Sequence, residues 1–342
     1  METVLIASWI EPHLVERIRE VGEGIRVVYE PGLLRLPRYP ADHKGGPRER
    51  SEAEERRWRE SLASATILFD FDQTHLEDLP DVAPNVRWIQ ATSSGIGQFV
   101  RRMGYAARMP DTVFTTARGV HARPLAEFVA MAMTIHARRG LHMVRQQAEK
   151  SWERFAGRDL EGQTIVIVGL GAVGEEVVRI ALAHGMRVVA VRRRPELGGP
   201  SGVDRVLGPQ ALVEALPEAD FLVLVTPHTD ETERMIGRTE LAALPAGCAL
   251  VNIGRGALLD EPALVDALAS GHVGGAYLDV FQEEPLPADS PLWDMTNVLV
   301  SPHSASTSDR ENERIVDLFI DNLDRWLRGV ELRNVLDAQR LY

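Results

Sequence analysis

The 342-residue sequence predicts an α/β protein made of two doubly wound parallel-sheet domains. Three observations carry that expectation. Short β-rich runs alternate with helical patterns from the N-terminus, a second such series begins near Thr164 and ends near Ser301, and three glycines stand directly behind the first strand of the second series. A helix between successive strands makes a sheet parallel and covers both of its faces. The chain is about twice the usual domain length, so each half can bury its own core.

In the first series, strands are expected at 4–9, 25–29, 65–71 and 86–90, with a helix over EPHLVERIREV between the first two. Residues 30–51 are rich in proline, glycine and charge and read as a long surface loop; SEAEERRWRESLASA after them reads as a helix with a solvated, charged face. The second series places strands at TIVIVG, RVVAV, ADFLVLVT, CALVNI, GGAYLDV and NVLVSPH. Between the two series, residues 123–139 form a helix that is small or apolar on nearly every face and so calls for burial all round, at a subunit interface or between domains. After the second series, Ile315, Leu318, Phe319, Leu323, Trp326 and Leu327 fall at helical spacing, an amphipathic C-terminal helix. If it packs back on the first domain, that domain is discontinuous: 1–117 with 306–342, around a second domain at 118–305.

Composition narrows the functional classes. Fifty acidic against 38 basic residues give a net charge of −12, which disfavours a nucleic-acid partner. The lone cysteine, Cys248, excludes an intrachain disulfide and reads as a small buried residue before a strand. The N-terminus reads as a first strand rather than a signal peptide, and no run approaches the ~18 apolar residues of a membrane span, so a cytoplasmic protein without a membrane partner is expected. His121, His136, His142 and His228 are scattered without metal-ligand grouping, and no metal is expected.

The run IVIVGLGAVG places Gly169, Gly171 and Gly174 between a strand and a helix. The first permits a tight turn, the second lets backbone approach a pyrophosphate, and the third lets helix pack on strand. That is the context of a dinucleotide site in a Rossmann domain. Three later strands end in charged residues: Arg255 between two glycines in NIGRGALLD, Asp279, Glu283 and Glu284 in LDVFQEEPLP, and His303 in VSPHSAS. Ligands collect at that edge of an open α/β sheet. A guanidinium there suits a carboxylate, and an imidazole beside a carboxylate is a plausible proton donor at neutral pH. Carbonyl reduction needs that combination.

VGLGAVG, TPHTDETERMIG, NIGRGALLDEPALVDAL, GAYLDVFQEEPLP and SPHSAS, in this order, resemble the D-isomer-specific 2-hydroxyacid dehydrogenase family, with glyoxylate and hydroxypyruvate reductases as the nearest type. The resemblance spans about Ser93 to Thr307. It implies a Rossmann domain, a smaller flavodoxin-like substrate domain, a homodimer formed through the helix at 123–139, and hydride transfer between a nicotinamide nucleotide and C2 of a small 2-oxo or 2-hydroxy acid. By matched motif it implies that Arg255 holds the substrate carboxylate, His303 exchanges a proton with the 2-oxo oxygen and Glu284 orients His303. Ser94, Gly95 and Ile96, in ATSSGIGQF, are implied as the loop that binds the carboxylate through its amides. Gly169, Gly171, Ala172, Val173, Gly174, Thr226, Pro227, Thr232, Ile253 and Asp279 are implied as cofactor contacts, Asp279 at the nicotinamide carboxamide.

An NAD-preferring site carries an acidic residue at the end of the second strand, about 20 positions after the glycines. Here Arg192, Arg193 and Arg194 stand in that segment, and guanidinium groups pair with a 2′-phosphate. NADP(H) is therefore the expected nucleotide, with NAD(H) the alternative. The rival function is a nucleotide-sensing corepressor on the same fold.

Overall fold

The computed structural model describes residues 1–337. The chain divides into two compact units, one of Met1–His121 with the chain from Thr307 onward, the other of Ala122–Ser306.

The first unit contains β1 (Glu2–Ile6), α1 (Pro12–Arg19), β2 (Ile25–Val28), α2 (Glu52–Ser64), β3 (Ile67–Phe69), α3 (Leu79–Val82), β4 (Trp88–Gln90), α4 (Gly97–Arg102), α5 (Tyr105–Arg108) and β5 (Val113–Thr115). Its sheet is wholly parallel in the order β2-β1-β3-β4-β5, a flavodoxin-like arrangement. The first strand leaves the sheet at Ile6, short of the expected Trp9, and β5 is an addition, since three residues are too few for alternation to show. Ser51 caps α2 in a reciprocal capping box with Glu54, and its charged residues point outward while Trp58 and Leu62 are fully buried.

The stretch at 30–51 is less of a surface loop than its composition implies. Leu33 and Leu34 are buried, and the buried Asp42 carboxylate accepts from the Arg38 and Gly45 amides and pairs with the Arg38 guanidinium at 2.7 Å. The C-terminal helix, Glu311–Leu327, packs on this unit: Ile315, Phe319 and Leu323 are fully buried, and the Phe319 ring stacks on Trp88 with centroids 5.1 Å apart. Each such side chain contributes about 1.5–3 kcal/mol of burial. Leu327, expected on the packed face, is exposed at the helix end.

The second unit contains α6 (Ala122–Ala137), α7 (Gly140–Glu149), β6 (Thr164–Val168), α8 (Ala172–Ala183), β7 (Arg187–Val191), β8 (Arg205–Leu207), α9 (Leu212–Ala215), β9 (Phe221–Leu224), α10 (Arg238–Ala243), β10 (Cys248–Asn252), α11 (Glu261–Ala269), β11 (Val273–Leu278) and β12 (Val298–Val300). All seven strands are parallel, in the order β12-β11-β10-β9-β6-β7-β8. The order reverses between β6 and β9, which opens a crevice at the carboxyl ends of those strands, where ligands bind in this architecture. The edge strand β8 is the one not anticipated.

Within the second unit α6 is buried on one flank only. Ala126, Val129, Ala132 and Met133 are fully buried against α8 and the sheet, whereas Arg123, Glu127, Met131 and Thr134 face outward. His136 on α6 is a core histidine: Nε2 meets the Gly247 carbonyl at 3.2 Å, and burial holds its pKa below the usual value. Cys248 opens β10 with a buried thiol pushed up to about 12, so it stays protonated and unreactive. Among the described residues, no helix is long and apolar enough to cross a membrane, and no cluster of three His, Cys, Asp or Glu side chains is arranged for a metal.

Candidate active site

Each glycine behind β6 has a distinct steric reason. Gly169 adopts φ +114° and lies so near Val225 that a Cβ would sit 2.9 Å from its carbonyl carbon; at Gly174 a Cβ would fall 2.1 Å from the Gly169 oxygen. Gly171, by contrast, has nothing within 4 Å of where a Cβ would be. The turn is closed behind and open in front. Gly171 is also the N-cap of the 12-residue α8, and a glycine offers no side chain to the helix's first amides. Those amides and the positive end of the helix are free for a phosphate, so the residues present fit the pyrophosphate of a dinucleotide. Ala172 and Val173 occupy the first turn, both partly exposed.

At the end of β10 the chain makes a locked turn. The buried Asn252 side chain donates from Nδ2 to the Arg255 carbonyl at 3.0 Å and accepts from the Gly254 amide at 3.1 Å. Gly256 packs against the next segment so closely that a Cβ would lie 1.9 Å from the Phe281 carbonyl. Arg255 is thus placed by contacts on both sides. Its Nη1 donates to the Gly254 carbonyl at 2.6 Å, and burial lowers the guanidinium's pKa against the opposing pull of Glu284; it stays charged.

After β11 comes the buried Asp279. Its Oδ1 accepts from Ser301 Oγ at 2.6 Å, the Ser304 amide at 2.8 Å and the Ala305 amide at 2.9 Å, while its carbonyl accepts the His303 amide at 3.0 Å. One carboxylate therefore ties down the whole turn that carries His303. Burial raises the Asp279 pKa despite those bonds. His303 has φ +54°, a left-handed conformation that a non-glycine residue keeps only where its surroundings hold it.

The His303 ring meets Glu284. Nδ1 lies 2.7 Å from Glu284 Oε2, and Oε1 of the same carboxylate accepts the Phe281 amide at 3.1 Å. Burial pushes Glu284 up, but the bonds from His303 and Phe281 and the charges of His303 and Arg255 outweigh it, so the carboxyl sits below its ordinary range. An ionised acceptor on Nδ1 leaves Nε2 as the ring atom that can pass a proton outward. The result is a cation, an acceptor-backed imidazole and an open phosphate cradle in one sheet-edge region.

The other expected residues are placed as follows. Arg192 follows β7 and donates from Nη1 to the Gly198 carbonyl at 2.6 Å; Arg193 pairs with Glu231 at 3.2 Å. Thr226 and Pro227 follow β9, the Thr232 hydroxyl closes that loop on the Pro227 carbonyl at 2.8 Å, and Ile253 is buried just past β10. Ser94 and Gly95 are exposed and Ile96 is buried in the first unit, ahead of α4. Asn252 and Ser301 were missed by sequence reasoning. The signal for Asn252 was a polar residue in an otherwise apolar strand, which must find partners when buried.

Residues 130–305 match the NAD-binding domain of the D-isomer specific 2-hydroxyacid dehydrogenases. The chain is 36% identical to a glyoxylate reductase of Korarchaeum cryptofilum over 66% of this chain and 69% of that protein, and 32% identical to glyoxylate/hydroxypyruvate reductase B of Yersinia pestis over 78% and 82%. Among solved structures, a D-isomer specific 2-hydroxyacid dehydrogenase family protein of Aeromonas salmonicida superposes with a TM-score of 0.80 at 27% identity, covering 98% of this chain and 99% of that one. A dehydrogenase of the same description from Xanthobacter autotrophicus, in complex with NADPH and MES, superposes with a TM-score of 0.76 at 26% identity, covering 99% and 100%.

Proposed function

From the premise that this chain belongs to the D-isomer specific 2-hydroxyacid dehydrogenase family, we infer that it is a nicotinamide-dependent oxidoreductase that reduces a small 2-oxo acid to the D-2-hydroxy acid. The observation that carries this reading is the 2.7 Å contact between His303 and Glu284, in electrostatic reach of Arg255.

Arg255 grips the substrate carboxylate with parallel charge-assisted bonds and draws charge toward the 2-oxo oxygen. The Glu284 carboxylate accepts from His303 Nδ1 and fixes its ring, so that a proton on Nε2 is delivered to the oxygen developing at C2. When bound, a nicotinamide nucleotide would supply the hydride chemistry at C2. The ring is left neutral, with its remaining proton on Nδ1 facing Glu284. In the opposite direction the same Nε2 takes the proton of the 2-hydroxyl.

Ser94, Gly95 and Ile96 are the proposed second set of carboxylate contacts. Gly169, Gly171, Ala172, Val173 and Gly174 are proposed to hold the pyrophosphate, Thr226, Pro227, Thr232 and Ile253 to line the nucleotide, and Asp279 to meet the carboxamide. NADP(H) is the proposed nucleotide, supported by guanidinium groups at Arg192 and Arg193 where an NAD site carries an acid. Glyoxylate and hydroxypyruvate are the proposed substrates, in line with the names of the relatives. A homodimer through α6 and α7 is proposed because Met131, Met143 and Val144 are exposed there and Trp152, just beyond, is 96% exposed. The proposed location is the cytoplasm.

The test is the loss of reduced-nicotinamide absorbance with glyoxylate, hydroxypyruvate and longer 2-oxo acids, using both nucleotides. Turnover with at least one acid is expected. Tight nucleotide binding without turnover across the panel would reject the enzyme and favour a sensor.

A further inference from the structure

The arginines that follow β7 are held in different ways. Arg192 is half-buried, and its Nη1 donates to the Gly198 carbonyl of its own loop at 2.6 Å. A guanidinium carries five donors, so that bond need not break when a second acceptor arrives. Arg193 is exposed, and its Nη2 lies 3.2 Å from Oε1 of Glu231, 38 residues further along the chain.

Glu231 stands in the loop after β9. The Thr232 hydroxyl keeps that loop compact, accepting the Thr229 amide at 2.8 Å and donating to the Pro227 carbonyl at 2.8 Å. In the sheet β6 lies between β9 and β7. The Arg193–Glu231 pair therefore joins the loops on either side of the strand end from which the glycine turn and α8 lead off. These loops carry opposite charge, Arg192, Arg193 and Arg194 on one and Asp230, Glu231 and Glu233 on the other. Glu233 turns to His228 at 3.7 Å, which leaves Glu231 as the acid that meets the arginine.

A phosphate and a carboxylate compete for one guanidinium, whereas a neutral hydroxyl does not displace a carboxylate from it. A phosphate brought to Arg193 breaks the pair with Glu231 and then sits beside the released carboxylate, a like charge. A ribose 2′-hydroxyl does neither.

We propose that Glu231 is a specificity-determining residue that holds Arg193 across the nucleotide site and weakens binding of the 2′-phosphorylated coenzyme relative to the unphosphorylated one. It works against the arginines, so the preference for NADP(H) is set below what they alone would give. The inference rests on the nucleotide reading proposed above and adds to it the residue that tempers the choice.

The experiment titrates the full-length protein with NADPH and with NADH, in the absence of an oxo acid, for the unaltered chain, Glu231→Gln, Arg193→Ala and the double variant. Both side chains are more than half exposed, so the fold is not at risk. Glu231→Gln should tighten NADPH about three- to fivefold, the range of an exposed ion pair, and leave NADH unchanged. The gain should shrink as ionic strength rises from about 0.01 M to 0.15 M, where the screening length falls from about 30 Å to 8 Å. With Ala at 193, most of the gain should vanish, because the pair it comes from no longer exists. No change with NADPH, an equal gain for both nucleotides, or the full gain without Arg193 would overturn the proposal. Failure of the unaltered protein to bind either nucleotide would instead overturn the nucleotide reading, and this proposal with it.

Discussion

Glu284 Oε2 lies 2.7 Å from His303 Nδ1. The ring is held by that carboxylate, and the turn that carries it is clamped by Asp279. Only Nε2 is left to act on a substrate.

Replacing His303 by Ala removes the proposed proton donor but none of the glycine cradle. We expect kcat to fall by about 10² to 10⁴ while nucleotide affinity changes little. Stopped-flow turnover beside nucleotide titration checks this, and an unchanged kcat would take His303 out of the mechanism.

Glu284 gives a pH signature in stability. Its carboxyl is lowered in the folded protein from an ordinary 4.5, so folding is favoured wherever the group is ionised in both states. That contribution is complete above the unfolded value and disappears as the pH falls through the lower folded one. The urea midpoint of the unaltered protein should therefore exceed that of Glu284→Gln by a constant margin at pH 6–8, and the margin should shrink below about pH 4.5. A margin that grows in acid would contradict the assignment.

Glycines of the two strand-end loops should respond differently to a single methyl. Gly256→Ala forces a Cβ to within 1.9 Å of the Phe281 carbonyl, and we expect a loss of about 2–4 kcal/mol of stability together with reduced turnover as Arg255 shifts. Gly171→Ala meets open space, so it should leave the melting temperature nearly unchanged and weaken nucleotide binding by crowding the phosphates. Calorimetry of the two variants, alone and with nucleotide, separates these effects.

Coenzyme choice is tested at Arg192. Arg192→Asp installs a carboxylate where a ribose 2′-hydroxyl would be bound and breaks the bond to Gly198. The ratio of kcat/KM for NADPH over NADH should fall about tenfold or more. A ratio unmoved by the substitution would place the 2′-phosphate elsewhere.

Much of the nucleotide half was legible in the sequence, because its information is local. Gly169 and Gly174 are required by contacts within a few residues or across neighbouring strands, and strand, turn and helix all fall inside one short window. Arg255, Glu284 and His303 could be named because each follows a strand, and strand ends share one edge of a parallel sheet. What they do to one another could not be read that way. The clamp of Asp279 on the His303 turn depends on the register of β11 with its neighbours, and three-residue strands such as β5 and β8 carry too little pattern to be seen.

The amino-acid sequence by itself determined the alternation of strands and helices, the open glycine turn and the identity of the charged residues, since periodicity and backbone allowance act over neighbouring positions. Only the tertiary structure decided that His121, one scattered histidine among several, bonds to Ser94 and, 190 residues further along the chain, to Glu311. Hydrogen bonds of that span depend on the packing of the C-terminal helix, whose Phe319 stacks on Trp88, because nothing in the local chemistry of any of the three residues specifies the others as partners.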